Sequence, residues 1–317
     1  MSRVLTSSKL INSVRQRAMI PTDTSVYTDQ DILDILNEEM DIGLLPTLMS
    51  LNEEHLVTFE EYDADTNTSR FKIPYRSIAN KLRDVAYVDS TGGVYEMSRI
   101  SLEEISDYRT SQTTYSEDVF YVEGNDIVLV DNNLGSYEKI RMYYYLRPNT
   151  IVKESEIGTI TSIDRTTGVV TVSNFPSTFN TLPEMDFVGS RTPNKTYSFD
   201  IKPTSINANT KTIEFSVSDI PNDLIVGDYL CVKEQSPVPQ IPTEMHPVLA
   251  QMAAVHILEA LGDSEGLRNA LARLEQMKAA TMQIVDDRVE GSPQKVKPRN
   301  GTLHSAINNG NKFRGRL

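Results

Sequence analysis

A chain of 317 residues, 39% hydrophobic and 24% charged, has the makeup of a folded, water-exposed protein with a sizeable core and the length of about two domains. Its formal charge of −13 excludes a body that grips nucleic acid by neutralising phosphates. A lone Cys231 excludes a disulfide framework and a thiolate metal cluster, and no run of about 18 apolar residues is present to cross a bilayer.

The opening MSRVLTSSKLINSVRQR lacks the apolar segment of a signal peptide, so the protein is expected in the cytoplasm in which it is made. It predicts a first helix, with Ser8 as cap and Leu10, Ile11, Val14 and Ala18 on one face. A second helix begins at Thr28 in TDQDILDILNEEM, where Thr28 and Asp31 have capping-box spacing and Ile32, Leu33, Ile35, Leu36 and Met40 form the apolar stripe. It is expected to run on past Gly43, with Pro46 kinking or restarting it.

From Leu56 to Leu146 the period changes to two. LVTFEEY and RFKIP flank the polar turn DADTNTS, LRDVAYV and VYEMSRI flank DSTGG, and VFYVEG turns through Asn125 into IVLV before EKIRMYYYL, which predicts hairpins of a mostly antiparallel sheet. Ser101 with Glu104 is the capping box of a short helix between them. Residues 150–237 hold an internal echo: TSIDRTTGVVTVSNFPSTF at Thr161 resembles TSINANTKTIEFSVSDIPNDL at Thr204. Two copies of one hairpin unit predict a small pseudo-symmetric β barrel or sandwich, inserted as its own domain.

The Pro-rich EQSPVPQIPTEMHP marks a stiff connection. VLAQMAAVHILEAL, apolar on nearly every face, predicts a helix buried among neighbours, with Gly262 as its C-cap. Leu267, Ala270, Leu271, Leu274, Met277, Thr281, Ile284 and Val285 predict the stripe of a longer helix after it. The expected fold is therefore α+β: a helical bundle built from N- and C-terminal helices, with antiparallel β hairpins and an inserted small β barrel or sandwich. Its segments are the N-terminal helices 1–55, the antiparallel β region 56–149, the duplicated β domain 150–237, the C-terminal helical hairpin 238–290 and a basic arm 291–317. From Gln294 onward there are six basic residues and no acid, which leaves −19 on residues 1–293.

Tests for chemistry come back empty. His55, His246, His256 and His304 share no metal-ligand spacing, and HExxH is absent. Asp63, Asp65 and Asn67 begin like a calcium loop, but Thr68 stands where Gly is needed and Pro74 where Glu is needed, so a polar turn is the expectation. STGGVY lacks a phosphate-binding pattern, and GxSxG is absent. Glu38 with Glu39, Glu53 with Glu54 and Glu103 with Glu104 read as solvated helix residues. Tyr143, Tyr144 and Tyr145 read as sheet packing rather than a stacking platform, Cys231 as a buried structural thiol and His256 as an interior histidine. Neither an enzyme nor a bound cofactor or metal is expected.

The terminal helical stretches LINSVRQRAMIP…YTDQDILDILNEEMDIGLLPTLMSLNEEH and HPVLAQMAAVHILEALGDSEGLRNALARLEQMKAATMQIVDD, with the strands NKLRDVAYVDSTGGVYEMSRI and IRMYYYLRPN, resemble the head-to-tail adaptor (connector) proteins of tailed, especially short-tailed, bacteriophages. The resemblance implies a homo-oligomeric ring, usually of twelve copies, under the portal protein of the virion. It would join the DNA-filled head to the tail or nozzle protein, with DNA passing through it without sequence-specific binding, and would meet no membrane. It also implies that the C-terminal arm docks on the portal, with Lys295, Lys297, Arg299, Lys312, Arg314 and Arg316 steering and pairing and Leu303 and Phe313 anchoring. Low apolar content and NNGN keep such an arm from folding alone. An acidic wall suits a conduit, because like charge keeps DNA from sticking. The alternative is a tail appendage or receptor-binding module that uses the β insertion, with Tyr197 and Phe199 as ligand contacts.

Overall fold

The computed structural model describes residues 4–21, 26–64, 68–106, 118–130, 138–191 and 195–285. All of them fall in one unit, Met1–Asp286, and the fold is α+β. Helix α1 (Ser7–Arg17) buries Leu10, Ile11 and Val14; Thr6 rather than Ser8 is its N-cap, and it offers no side-chain hydrogen bond. In α2 (Asp29–Glu38) the capping box forms: Asp31 N–H donates to Thr28 Oγ1 at 3.2 Å and Thr28 N–H to the Asp31 carboxylate at 2.7 Å.

The chain then loosens into a π-helical segment, Glu39–Leu44, before α3 (Leu45–Leu51) restarts with Pro46 in its first turn. Pro46 has no N–H to return to residue 42 and its ring crowds that carbonyl, so the wider register upstream absorbs the mismatch. Gly43 faces Met252, whose methyl group occupies the place a Cβ would take.

Helix α4 (His246–Leu261) is buried on most of its surface and ends at Gly262, φ 71°, the left-handed residue only glycine adopts freely. Helix α5 (Ser264–Val285) buries Ala270, Leu274 and Val285. The expected stripe is corrected at two positions: Leu271 is 43% and Ile284 68% exposed. The row against the core takes the buried Ala270, Leu274 and Val285 and the half-buried Leu267, Met277 and Thr281, and Leu271 and Ile284 stand roughly 60–80° off its centre on opposite sides. The helices from both ends of the chain share one apolar core, which also takes in Tyr145 and Ile151. Polar ties cross it: Arg17 donates to Gln251 Oε1 at 2.6 Å, and Asn52 Nδ2 to the Val285 carbonyl at 3.3 Å.

Two sheets stack beside the helices. One has the order β1 (Val57–Asp63), β8 (Lys139–Leu146), β3 (Ser77–Val88), β4 (Val94–Glu96); the other β2 (Arg70–Lys72), β7 (Asp126–Leu129), β6 (Val119–Glu123), β5 (Ser98–Arg99). Val85, Ile140 and Met142 of the first meet Phe71, Phe120 and Ile127 of the second. The expected β3–β4 and β6–β7 hairpins form, with Tyr87 opposite Tyr95 and Glu123 opposite Asp126. The β1–β2 hairpin does not: β1 pairs with β8, Phe59 opposite Tyr143, and β2 pairs with β7. Alternation fixes which face of a strand is apolar, and leaves open which strand lies beside it.

A parallel pair, β9 (Thr150–Ile151) with β17 (Gln235–Ser236), closes the root of the insertion. Beyond it a seven-stranded sheet runs β13 (Thr196–Ile201), β12 (Met185–Val188), β16 (Tyr229–Val232), β10 (Gly158–Asp164), β11 (Val169–Val172), β15 (Thr212–Glu214), β14 (Ser205–Asn207). The order does not close, so the barrel expectation is corrected: end strands β13 and β14 are consecutive in the chain, and the break between them holds Pro203, which has no N–H to donate.

The internal echo is a pseudo-twofold axis. β11 pairs antiparallel with β15 at Val170 and Ile213, β12 with β16 at Phe187 and Leu230, and both pairs join residues the same distance apart in sequence. The hydrogen bonds obey it too: Phe215 N–H donates to the Gly168 carbonyl, Val172 N–H to that of Lys211. Gly168 (φ 79°) and its counterpart Lys211 (φ 55°) are both left-handed, yet they differ in tolerance. A Cβ at Gly168 would run into the Phe215 carbonyl oxygen. Gly168→Ala is therefore expected to lower the unfolding free energy by about 2 kcal/mol or more, and Lys211→Gly to leave it within about 1 kcal/mol, as read from urea midpoints.

Candidate functional site

The strongest polar constellation among the described residues lies where the β insertion meets the stem sheets. Arg76, at the start of the chain into β3, is only 4% exposed. Its Nη2 donates to Asp186 Oδ1 at 2.9 Å and Asp200 Oδ1 at 2.7 Å, its Nη1 to Asn149 Oδ1 at 3.1 Å and its Nε to Asp200 Oδ2 at 3.2 Å. Tyr75 Oη donates to Asp200 Oδ2 at 2.6 Å, and the Phe199 ring lies under the guanidinium, 5.0 Å from its carbon.

Asp186 is fully buried in β12 and accepts four hydrogen bonds, from Arg76, from Asn149 Nδ2 at 2.9 Å and from the N–H groups of Asp200 and Glu234, both at 3.0 Å. Those two residues have φ of 55° and 62°, left-handed backbone that costs about 1 kcal/mol or more outside glycine. The buried carboxylate holds both turns in place.

The charges are settled by this packing. Burial pushes the Asp186 carboxyl above its ordinary value, and the Arg76 charge and N–H donors pull against it. For Asp200 burial pushes the same way, but hydrogen bonds from Arg76 and Tyr75 outweigh it and hold the carboxyl below the usual range. Burial opposes the Arg76 cation, and its carboxylate partners more than compensate. The bonds from Tyr75, Arg76 and Asn149 to Asp186 and Asp200 tie the stem to the insertion and clamp the two in one orientation at this junction. Beside it an opening of about 90 Å³, bordered by His55, Pro148, Lys195, Phe199 and Gln240, has room for a few waters or one partner side chain.

A second buried node joins the chain ends. His246, at the start of α4, accepts from Leu5 N–H at Nδ1 (3.2 Å) and lies 3.3 Å from the Ile241 carbonyl at Nε2. Nε2 therefore carries the proton and the ring is neutral. Burial pushes its pKa down to about 4.

The residues singled out from sequence fall as follows. Cys231 is buried in β16 and its thiol is pushed up by that burial. His256 is half exposed, with Nδ1 3.1 Å from Glu39 Oε1, rather than interior. Tyr144 and Tyr145 are buried, Tyr145 donating to Glu53 Oε2 at 2.7 Å, and Tyr143 packs on Phe59. Tyr197 packs on the insertion core and Phe199 under Arg76, and both are half-buried. Ser101 and Glu104 do bond, Ser101 N–H to the carboxylate at 2.9 Å. Asp65, Asn67 and His304, and all the arm residues Lys295, Lys297, Arg299, Leu303, Lys312, Phe313, Arg314 and Arg316, lie outside the described residues. Sequence reasoning missed Arg76, Asn149, Asp186 and Asp200; the one faint signal is an acid inside the apolar run EMDFV.

Among the described residues no group of three or more His, Cys, Asp and Glu is arranged to hold a metal ion, and no helix is long and apolar enough to cross a membrane. No protein-family model matches the chain, and no curated protein matches it.

Proposed function

We propose that this chain is a head-to-tail adaptor of a tailed, short-tailed bacteriophage: a structural, non-enzymatic protein that forms a ring of twelve below the portal, joins the DNA-filled capsid to the tail and forms part of the DNA conduit. The observation that supports it most is the helical core shared by the two ends of the chain, from which both β parts are displayed on rigid roots. In this reading α1, α2, α4 and α5 act as one bundle in the ring wall. The insertion, clamped through Arg76 and Asp186 at 2.9 Å, reaches a neighbour or the tail in a fixed orientation.

The charge division supports the same role. An acidic body lets DNA pass, and a basic arm with Leu303 and Phe313 seeks an acidic, grooved portal surface. Truncation after residue 290 is expected to weaken binding to the portal of the same particle at least tenfold, and rising salt to weaken the full chain's binding in the same direction. Equal portal affinity of the two chains would remove the arm from the docking scheme.

A further inference from the structure

Two helices carry partly exposed stripes of opposite character. From residue 18 to residue 69 the sequence contains no Lys or Arg, and α2 lies in this stretch. Its solvent side carries Asp34 and Glu38, followed by Ile42, which is 71% exposed in the π segment. Asp41 also belongs to this side and already has Arg147 near it; Asp34, which accepts from Gln30 Nε2 of its own helix at 3.0 Å, and Glu38 are both exposed. On α5 the row Arg268, Leu271, Glu275, Lys278, Met282 follows i+3 and i+4 steps beside the buried row. Leu271 is 43% and Met282 37% exposed.

Both helices pack on α4; Asp34, Glu38, Arg268 and Leu271 are exposed, while Lys278 and Met282 border a cleft with Leu44, Thr47 and Val248. One copy therefore offers the two stripes on different parts of its surface. When such a stripe of one copy meets the other stripe of the next copy only once, the copies pair head to tail, which closes into a ring when the rotation allows. Asp34 to Ile42 spans roughly 12 Å of helix and Arg268 to Met282 roughly 21 Å, so the α2 stripe covers part of the α5 row.

We infer that the α5 stripe of one copy, through Arg268, Leu271, Lys278 and Met282, docks on the α2 stripe of the next copy, through Asp34, Glu38 and Ile42. The inference rests on the ring reading above and names the surfaces that build the ring. Exposed ion pairs contribute about 0–1 kcal/mol each, so burial of Leu271, Met282 and Ile42 supplies the affinity. The charges select the register and exclude the like pairings, α2 on α2 and α5 on α5.

The test is a charge swap followed by sedimentation velocity of the full chain over a concentration series at low salt. Arg268→Glu with Lys278→Glu makes the α5 stripe acidic; Asp34→Lys with Glu38→Lys makes the α2 stripe basic. The parent chain is expected to self-associate, and each variant alone to associate at least tenfold more weakly. An equimolar mixture of the two should recover, because an alternating order matches every contact, and the chain carrying all four changes should recover too. Asp34, Glu38 and Arg268 are exposed and Lys278 half-buried, and matching thermal unfolding of parent and variants checks that folding is intact. A parent that stays monomeric throughout, variants that associate like the parent, or folded variants whose mixture does not recover would each overturn the contact. Rings that form on the portal regardless of the swap would remove this contact and leave the adaptor reading standing. A recovered swap in a chain that ignores the portal would do the reverse.

Discussion

Replacing Arg76 with Ala is expected to lower the unfolding free energy by about 3–5 kcal/mol, a third or more of the stability of an ordinary domain. The loss comes less from the missing attraction than from what remains: Asp186, buried in β12 with its strongest partner gone, and Asp200 with two hydrogen bonds fewer. Asp186→Asn keeps the shape and leaves Arg76 its bonds to Asp200 and Asn149, so its cost is expected to be smaller, about 1–3 kcal/mol. The variants should also loosen the insertion, which limited proteolysis near residues 150 and 237 would register as faster cleavage. A cost below about 1 kcal/mol for Arg76→Ala in urea titrations would mean that the junction is wet and the clamp weak.

Acid should release the other buried node. The His246 imidazole falls from its ordinary 6.5 to about 4 in the folded chain, chiefly through burial. Between those values the unfolded chain takes up a proton that the folded chain refuses. The stability from the neutral ring is therefore complete above pH 6.5 and is lost progressively as pH falls toward 4, by about 3 kcal/mol in all. His246→Gln retains an acceptor for Leu5 N–H and does not titrate. Urea midpoints at pH 7.5 and 4.5 should fall further for the parent than for His246→Gln. Equal falls would show that the ring is solvated.

What could be read in the sequence is what is local. The Thr28 and Asp31 capping box, the Gly262 stop and the all-round apolar α4 depend on residues within one or two turns of each other. The repeat in 150–237 was visible because both copies keep the same turn chemistry: Asp164 and Asn207 each accept the N–H groups two and three residues on. The pseudo-twofold pairing itself was not visible, since similarity of two segments does not say how they meet. Arg76 bonds to residues 73, 110 and 124 positions away, and no spacing rule spans such distances. The β1–β2 error has the same origin: β1 finds its partner β8 across most of the stem, where a neighbouring strand looked equally suitable. Leu271 counted as core because a helical period of 3.6 leaves borderline positions on either side of a buried row.

The central claim is a ring on a portal, and the most direct measurement is the native mass of the full-length chain mixed with the portal protein of the same particle. The account predicts one closed assembly in which about twelve copies join the portal ring. A trimer formed at the same mass with or without portal would contradict it.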